Sequence, residues 1–331
     1  MIITQTWREA IKRRLAGPAT KIAVITVLLF VVTAVFVPRA LSSTALAATF
    51  PAVAVLALAA VGETLVIQQR GLDLSVPGNI AMSAYLVAVL PSQDKMGLPE
   101  ALAVVALFAI TVGVLNGILV AKAGITPLVA TLAVGGLLQG AVLAVSNATA
   151  ASVTPGLARF GSGTIAGVSV MLWISAAVTV IVGLFIGNSS VGRRFVGVGA
   201  SPAAGRAAGL VVNRYVIASY VAGSLCYAGA GILLVSYLGT SSSSMGDTYE
   251  LAVIAAVIIG GTPLVGGRGS VAATWIAAML LAELDQVVAT LGAPSSTQLL
   301  IQSVVIAVAA ALGRMRIGQR VRRPKALTGD V

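Results

Sequence analysis

At 331 residues, with 58% hydrophobic and only 9% charged side chains and a mean hydropathy of +1.02, the chain lies far from water-soluble domains, in which roughly a quarter of residues are charged. One cysteine, Cys226, excludes an intrachain disulfide, and the absence of histidine removes the usual zinc and haem ligand sets. The formal net charge of +11 would suggest nucleic acid in a soluble protein, but the cations sit at the ends and in short loops between apolar runs. There they report membrane topology and not a nucleic-acid partner.

In chain order, a basic N-terminal segment over residues 1–21 precedes apolar runs of helical length. Helical spans are expected near Ile22–Val37, Ala45–Ile67, Ser75–Leu90, Glu100–Ala121 and Thr126–Val145. The second half adds Val168–Ile186, Tyr215–Leu238, Leu251–Val265, Val271–Leu291 and Gln298–Leu312. Barrel strands would alternate with period two over about ten residues, whereas these runs are long and continuous. The expected fold is therefore all-α, a polytopic bundle of about ten transmembrane helices over residues 22–313, closed by a basic tail over 314–331.

With the N-terminus in the cytoplasm, 18 of the 21 basic residues fall inside and only Arg39, Lys95 and Arg159 fall outside. The positive-inside rule then places both termini in the cytoplasm. Ala45-Leu46-Ala47 after the first apolar run imitates a signal cleavage site, but the basic region is long for a signal and further spans follow, so an uncleaved first helix is expected. The basic tail is read as a topology signal that can also touch anionic lipid headgroups.

Acids in hydrocarbon are costly, which makes each one a candidate for function. Glu63 is the most deeply placed by sequence. Asp73 and Glu250 fall at span edges, where a solvated acid is expected, and Glu283 and Asp285 lie toward the outer half of their span, facing either a water-filled cavity or the helix end. Gln68, Gln69, Asn79, Asn116 and Gln139 are candidates for a hydrophilic path, with helix-to-helix hydrogen bonding an equal account of each.

None of the five lysines follows a glycine, so the chain has no phosphate-binding loop of the G-x-x-x-x-G-K-[ST] type. It is not expected to be an enzyme or to bind a cofactor, and any ATP and magnesium would belong to a partner chain. The polar stretch from Gly187 to Arg214 is too polar to span and belongs on the cytoplasmic face. Within it, Ser201-Pro202 forms an N-cap and first-turn pair, which predicts a short helix from Pro202 to a terminating Gly209 with Arg206 exposed.

Three blocks carry a family resemblance. Gly71-Leu72-Asp73-Leu74-Ser75-Val76 resembles the G-[IL]-D-L-S-V signature of permeases for ribose, xylose and related sugars in binding-protein-dependent ABC importers, a branch that also includes autoinducer-2 permeases. Gly192-Arg193-Arg194-Phe195 and Ser201-Pro202-Ala203-Ala204-Gly205-Arg206 through Gly209 are similar to that family's cytoplasmic coupling segment. Tyr249-Glu250-Leu251, Ile259-Gly260-Gly261-Thr262 and Gly266-Gly267-Arg268-Gly269-Ser270-Val271 match its last signature. The resemblance runs from about Ala45 to Gly313. Three departures stand out: Ala203 replaces the coupling glutamate, and Arg70 and Pro77 replace glycines beside the aspartate motif.

The resemblance implies a permease subunit similar in plan to the ten-helix vitamin B12 importer permease. It would work in the bacterial inner membrane as a dimer with two ATP-binding subunits and a solute-binding protein. Arg193, Arg194, Phe195, Pro202, Arg206 and Gly209 would couple to the ATPase. Glu63, Gln68, Gly71, Asp73, Ser75, Asn79, Asn116, Gln139, Glu250, Gly260, Gly261, Gly267 and Gly269 would form the motifs or the path of a sugar-like solute. A homodimer and a heterodimer are both compatible, the alanine at 203 favouring the latter. The rival class, an ion-coupled secondary transporter, would show central ionisable residues and inverted repeats, for which Gly267-Arg268-Gly269-Ser270-Val271 is too short a match to the aspartate block. A membrane-embedded hydrolase would need a nucleophile with a base, and no such constellation is present.

Overall fold

The computed structural model describes residues 17–92, 96–294, 296–297, 300 and 303–304. Its helices are α1 (Pro18–Phe36), α2 (Ser43–Gln68), α3 (Val76–Ser92), α4 (Leu98–Ala121), α5 (Pro127–Ser146), α6 (Pro155–Gly161) and α7 (Val170–Asn188). They continue with α8 (Ser190–Ala200), α9 (Pro202–Ala207), α10 (Val212–Leu238), α11 (Tyr249–Ile259) and α12 (Val271–Thr290). A small hairpin pairs β1 (Thr164–Ile165) with β2 (Val168–Ser169) antiparallel between α6 and α7.

Seven of these helices, α1, α2, α4, α5, α7, α10 and α12, are long and apolar enough to cross a membrane. α3 and α11 are shorter. At 11 residues α11 covers about 16 Å, half of what a bilayer core requires, so the continuous span expected over Leu251–Val265 is corrected. The turn over Gly260 and Gly261, with φ +85° at Gly261, stops the helix before Pro263. The tenth expected span, Gln298–Leu312, lies largely outside the described residues.

α2 forms the centre. From Val53 to Gln68 every residue is buried, because α10, α12, α7 and α11 pack around it. Small residues permit the approach: Gly62 faces Gly223 and Cys226 of α10, where an added methyl would fall 2.7 Å from the Cys226 Cβ. α10 also lies along α4 and α3, while α5 packs on α3 and α1 on α12. Val24, Val35 and Phe36 of α1 are exposed, as an outer helix in lipid requires.

The two ends of α10 define two faces of the bundle. Beside its first residues lie α8 and α9, in the polar stretch assigned to the cytoplasmic face. Beside its last lie α6 and a backbone pairing in which Val153 N donates to Gly239 O at 3.0 Å and Ser241 N to Ala151 O at 2.9 Å.

Candidate functional site

The aspartate block turns inward between α2 and α3. Asp73, expected as a solvated edge acid, is instead 1% exposed, because the turn folds back under the helices instead of ending in water. Its Oδ1 accepts from the Ser75 amide at 2.9 Å and from the Ser75 hydroxyl at 2.5 Å. Asn116 of α4 donates its amide to the Ser75 hydroxyl at 2.9 Å and reaches Asp73 Oδ1 at 3.5 Å. The Asp73 amide donates to Glu63 Oε1 at 3.2 Å, and Tyr227 of α10 donates its hydroxyl to Glu63 Oε2 at 2.6 Å. Thr131 of α5 accepts from the Leu74 amide at 2.9 Å. Glu63 of α2 and Thr131 of α5 thus accept from backbone amides of the turn while Asn116 of α4 holds its side chains, which is how irregular backbone survives inside a membrane protein.

Of the sequence candidates, Glu63, Gly71, Asp73, Ser75 and Asn116 meet in this cluster. Tyr220 caps Gly71, where an added methyl would fall 2.6 Å from its hydroxyl. Asn79 stands one turn deeper and donates to Ser224 Oγ at 2.5 Å. Gln139 lies apart, donating to Ser243 O at 2.8 Å, and Glu250 is half-buried in the first turn of α11. Glu283 is not solvated at a helix end: it is fully buried where α12 meets α1, with the Thr33 hydroxyl beside its carboxyl. Asp285 is half-buried. Tyr227, Tyr220, Thr131 and Ser224 escaped the sequence reading, since a lone hydroxyl in an apolar helix carries no periodic signal.

The second constellation is the elbow between α8 and α9. The stretch Ser190–Ala200 is an amphipathic helix: Ser189 Oγ caps it by accepting from Gly192 N at 2.8 Å, and Phe195 and Val198 are buried while Arg193 and Arg194 face outward. α9 begins at Pro202 as expected. Ser201 Oγ accepts from Ala204 N at 3.2 Å, and Gly209, at φ +77°, closes the helix with Gly209 N to Arg206 O and Leu210 N to Gly205 O, both 3.0 Å. Ala203 and Arg206 are exposed.

Elbow and aspartate turn are tied together. Arg70 adopts φ +64°, a left-handed conformation that costs a non-glycine residue about 1–2 kcal/mol, and its guanidinium donates to the last carbonyls of α8, Nε to Gly199 O at 2.8 Å and Nη2 to Ala200 O at 2.6 Å. A cation at a helix C-terminus also meets the negative end of the macrodipole. Gln69 Nε2 donates to Phe195 O at 2.7 Å. The loop after α11 closes the junction: Gly267 N donates to Gln68 O at 2.9 Å, and Gly267 packs on Ala200. Gly260 packs against Thr274 of α12, Gly269 against Gln68 and Thr262, and Gly261 against Pro18 at the start of α1.

Residues 45–310 match the family model described as "Branched-chain amino acid transport system / permease component". The chain belongs to this permease family. The permease is 34% identical over 260 residues to the ribose import permease protein RbsC of Escherichia coli (strain K12), covering 76% of this chain and 80% of that one. It is 32% identical to RbsC of Bacillus subtilis (strain 168), over 80% and 83% of the two chains. With the autoinducer 2 import system permease protein LsrC of Klebsiella pneumoniae it shares 30% identity over 81% and 78%. No solved structure matches the permease. Family and helices together make it a multi-pass membrane protein.

Proposed function

We propose that this chain is the membrane-spanning subunit of an ATP-driven importer for a sugar-like solute. In this reading it forms the translocation path with a second permease subunit, identical or not. Two separate ATP-binding subunits hold ATP and magnesium on the cytoplasmic face, and a solute-binding protein delivers solute on the other. The names of the relatives, ribose and autoinducer 2 import permeases, support a polyhydroxylated solute.

The observation that carries the reading is the Arg70 junction. An exposed arginine-bearing elbow suits a docking surface for a soluble partner, and Arg70 and Gln69 tie its backbone to the turn that holds Asp73. Displacement of α8 by such a partner would pull on a turn hydrogen-bonded to α2, α4, α5 and, through Glu63, α10. That provides a two-state element that ATP binding can bias from outside the membrane.

The distribution of charge supports the orientation. Arg70 meets α8, Arg268 follows the Gly267 contact, Arg214 opens α10, and Pro18 beside Gly261 brings the start of α1 to the same face. Arg159 lies in α6 at the opposite end of α10. The positive-inside rule assigns the arginine-rich face and the N-terminus to the cytoplasm, and the ten spans expected from the sequence would return the C-terminus there.

The test is co-purification of the tagged chain, expressed with its native neighbours, against a variant carrying Arg193→Ala, Arg194→Ala and Arg206→Ala. The expected result is an ATP-binding subunit that accompanies the wild type and is lost, or no longer drives transport, in the variant. A chain that purifies alone and moves solute in liposomes on a proton gradient without ATP would overturn the reading in favour of an ion-coupled secondary transporter.

A further inference from the structure

The stretch Thr240-Ser241-Ser242-Ser243-Ser244-Met245-Gly246-Asp247-Thr248 connects α10 to α11. It starts at the face of α6, where Thr240 pairs with Ser152, and then descends. The Ser243 carbonyl accepts from Gln139, which lies seven residues before the end of α5 at Ser146 and so about 10 Å inside that face. Gly246 then seats on the Pro77 carbonyl at the start of α3 so closely that any side chain would collide. Pro77 precedes Gly78, which packs on Leu138, in the middle of α5. The segment therefore reaches the depth of the bundle's midplane, and α11 begins there.

At that depth Ser242, Ser244, Asp247 and Thr248 are exposed on the protomer surface. An exposed carboxylate cannot face hydrocarbon without a large penalty, and irregular backbone at membrane depth is found only where protein or a water-filled cavity covers it. The buried side of the segment is Ser241 and Gly246, so the open side is the one that needs water. We infer that residues 240–248 form a wall of the solute path, where the hydroxyls of Ser242, Ser244 and Thr248 and the Asp247 carboxylate exchange hydrogen bonds with a neutral polyhydroxylated solute. This rests on the import reading above for the identity of the solute class. Hydroxyls that both donate and accept suit a ligand whose own hydroxyls do the same.

The experiment places single cysteines, Ser242→Cys, Ser244→Cys and Asp247→Cys, in a Cys226→Ala chain within the full native complex. The charged, membrane-impermeant reagent methanethiosulfonate ethylsulfonate is applied from the extracellular side, in the resting complex and after vanadate trapping with ATP. Leu107→Cys, on an exposed apolar face of α4, is the lipid-facing control. The expected result is modification at all three positions on the order of tenfold faster than at the control, with rates that differ between the two nucleotide states. Unreactive cysteines would mean that lipid or a subunit contact seals the segment, and the inference falls. Reactive cysteines with identical rates in both states would mark a static crevice, and it falls equally. If the complex moves solute without ATP, the import reading fails by itself while cysteine reactivity still decides the path.

Discussion

Two irregular segments enter this bundle from opposite faces, and they are built in opposite ways. The turn over residues 69–75 is sealed: Gln69, Asp73 and Ser75 are all buried, and side chains from α2, α4 and α5 meet its polar groups. The segment over 240–248 is held at its start by the pairing of Thr240 with Ser152 and of Ser241 with Ala151, and further on by the Gln139 amide and the Gly246 contact, and it leaves Ser242, Ser244 and Thr248 exposed. A segment bonded to many helices registers their relative positions. One whose exposed hydroxyls bond to each other, as those of Ser242 and Ser244 do at 3.3 Å, can exchange them with a passing molecule. The division of labour follows from where the hydrogen bonds are spent.

Substitutions should expose this contrast as unequal effects on thermal unfolding of the detergent-solubilised protein. The largest loss is expected for Asp73→Leu, which leaves the Ser75 amide and the Ser75 hydroxyl without their acceptor, at about 1–3 kcal/mol for each orphaned buried group. Asp73→Asn, which keeps one acceptor oxygen, should lose less. Gly246→Val comes next, since overpacking against the Pro77 carbonyl costs about 1–3 kcal/mol, and it should also raise the cysteine reactivity of the displaced segment. Tyr227→Phe removes the 2.6 Å donation to Glu63 and should cost about 1–2 kcal/mol. Ser201→Ala removes the cap of α9, worth about 1 kcal/mol locally, and is best read as faster amide exchange at Ala204. Ser244→Ala should change stability by less than about 0.5 kcal/mol while impairing uptake. An equal loss for Ser244→Ala and Ser75→Ala would erase the distinction between the two segments.

Much of the architecture was legible because hydrocarbon demands long apolar runs, and nine of the ten expected spans coincide with described helices, two of them short. The burial of Glu63 was legible too. Asp73 was not, since a position in sequence between two spans says nothing about a turn that folds back inside the bundle. The shortness of α11 had a local signal in Gly260-Gly261-Thr262-Pro263, which hydropathy averaging hid. α8 was hidden by its glycines and arginines, although Val191, Phe195 and Val198 sit at helical spacing. The partners of Glu63 and Leu74, Tyr227 and Thr131, come from helices more than fifty residues away, a relation that no local pattern encodes. Arg70 stood out only as a departure from the family pattern, and its bonds to Gly199 and Ala200 explain what an arginine does there.

The brevity of α11 also bears on how the chain is made. Eleven residues, with Glu250 among them, are too few to be held in a bilayer as an independent stop during synthesis, and the hydroxyl-rich approach to them is unsuited to lipid. The nascent chain from Gly239 to Ile259 must therefore wait, and enter the membrane only when α12 and the groove between α2 and α3 are ready to receive it. Biogenesis of this protein should be late and cooperative at that point, with a chain ending near Gly260 failing to bury the segment that a chain ending after α12 retains.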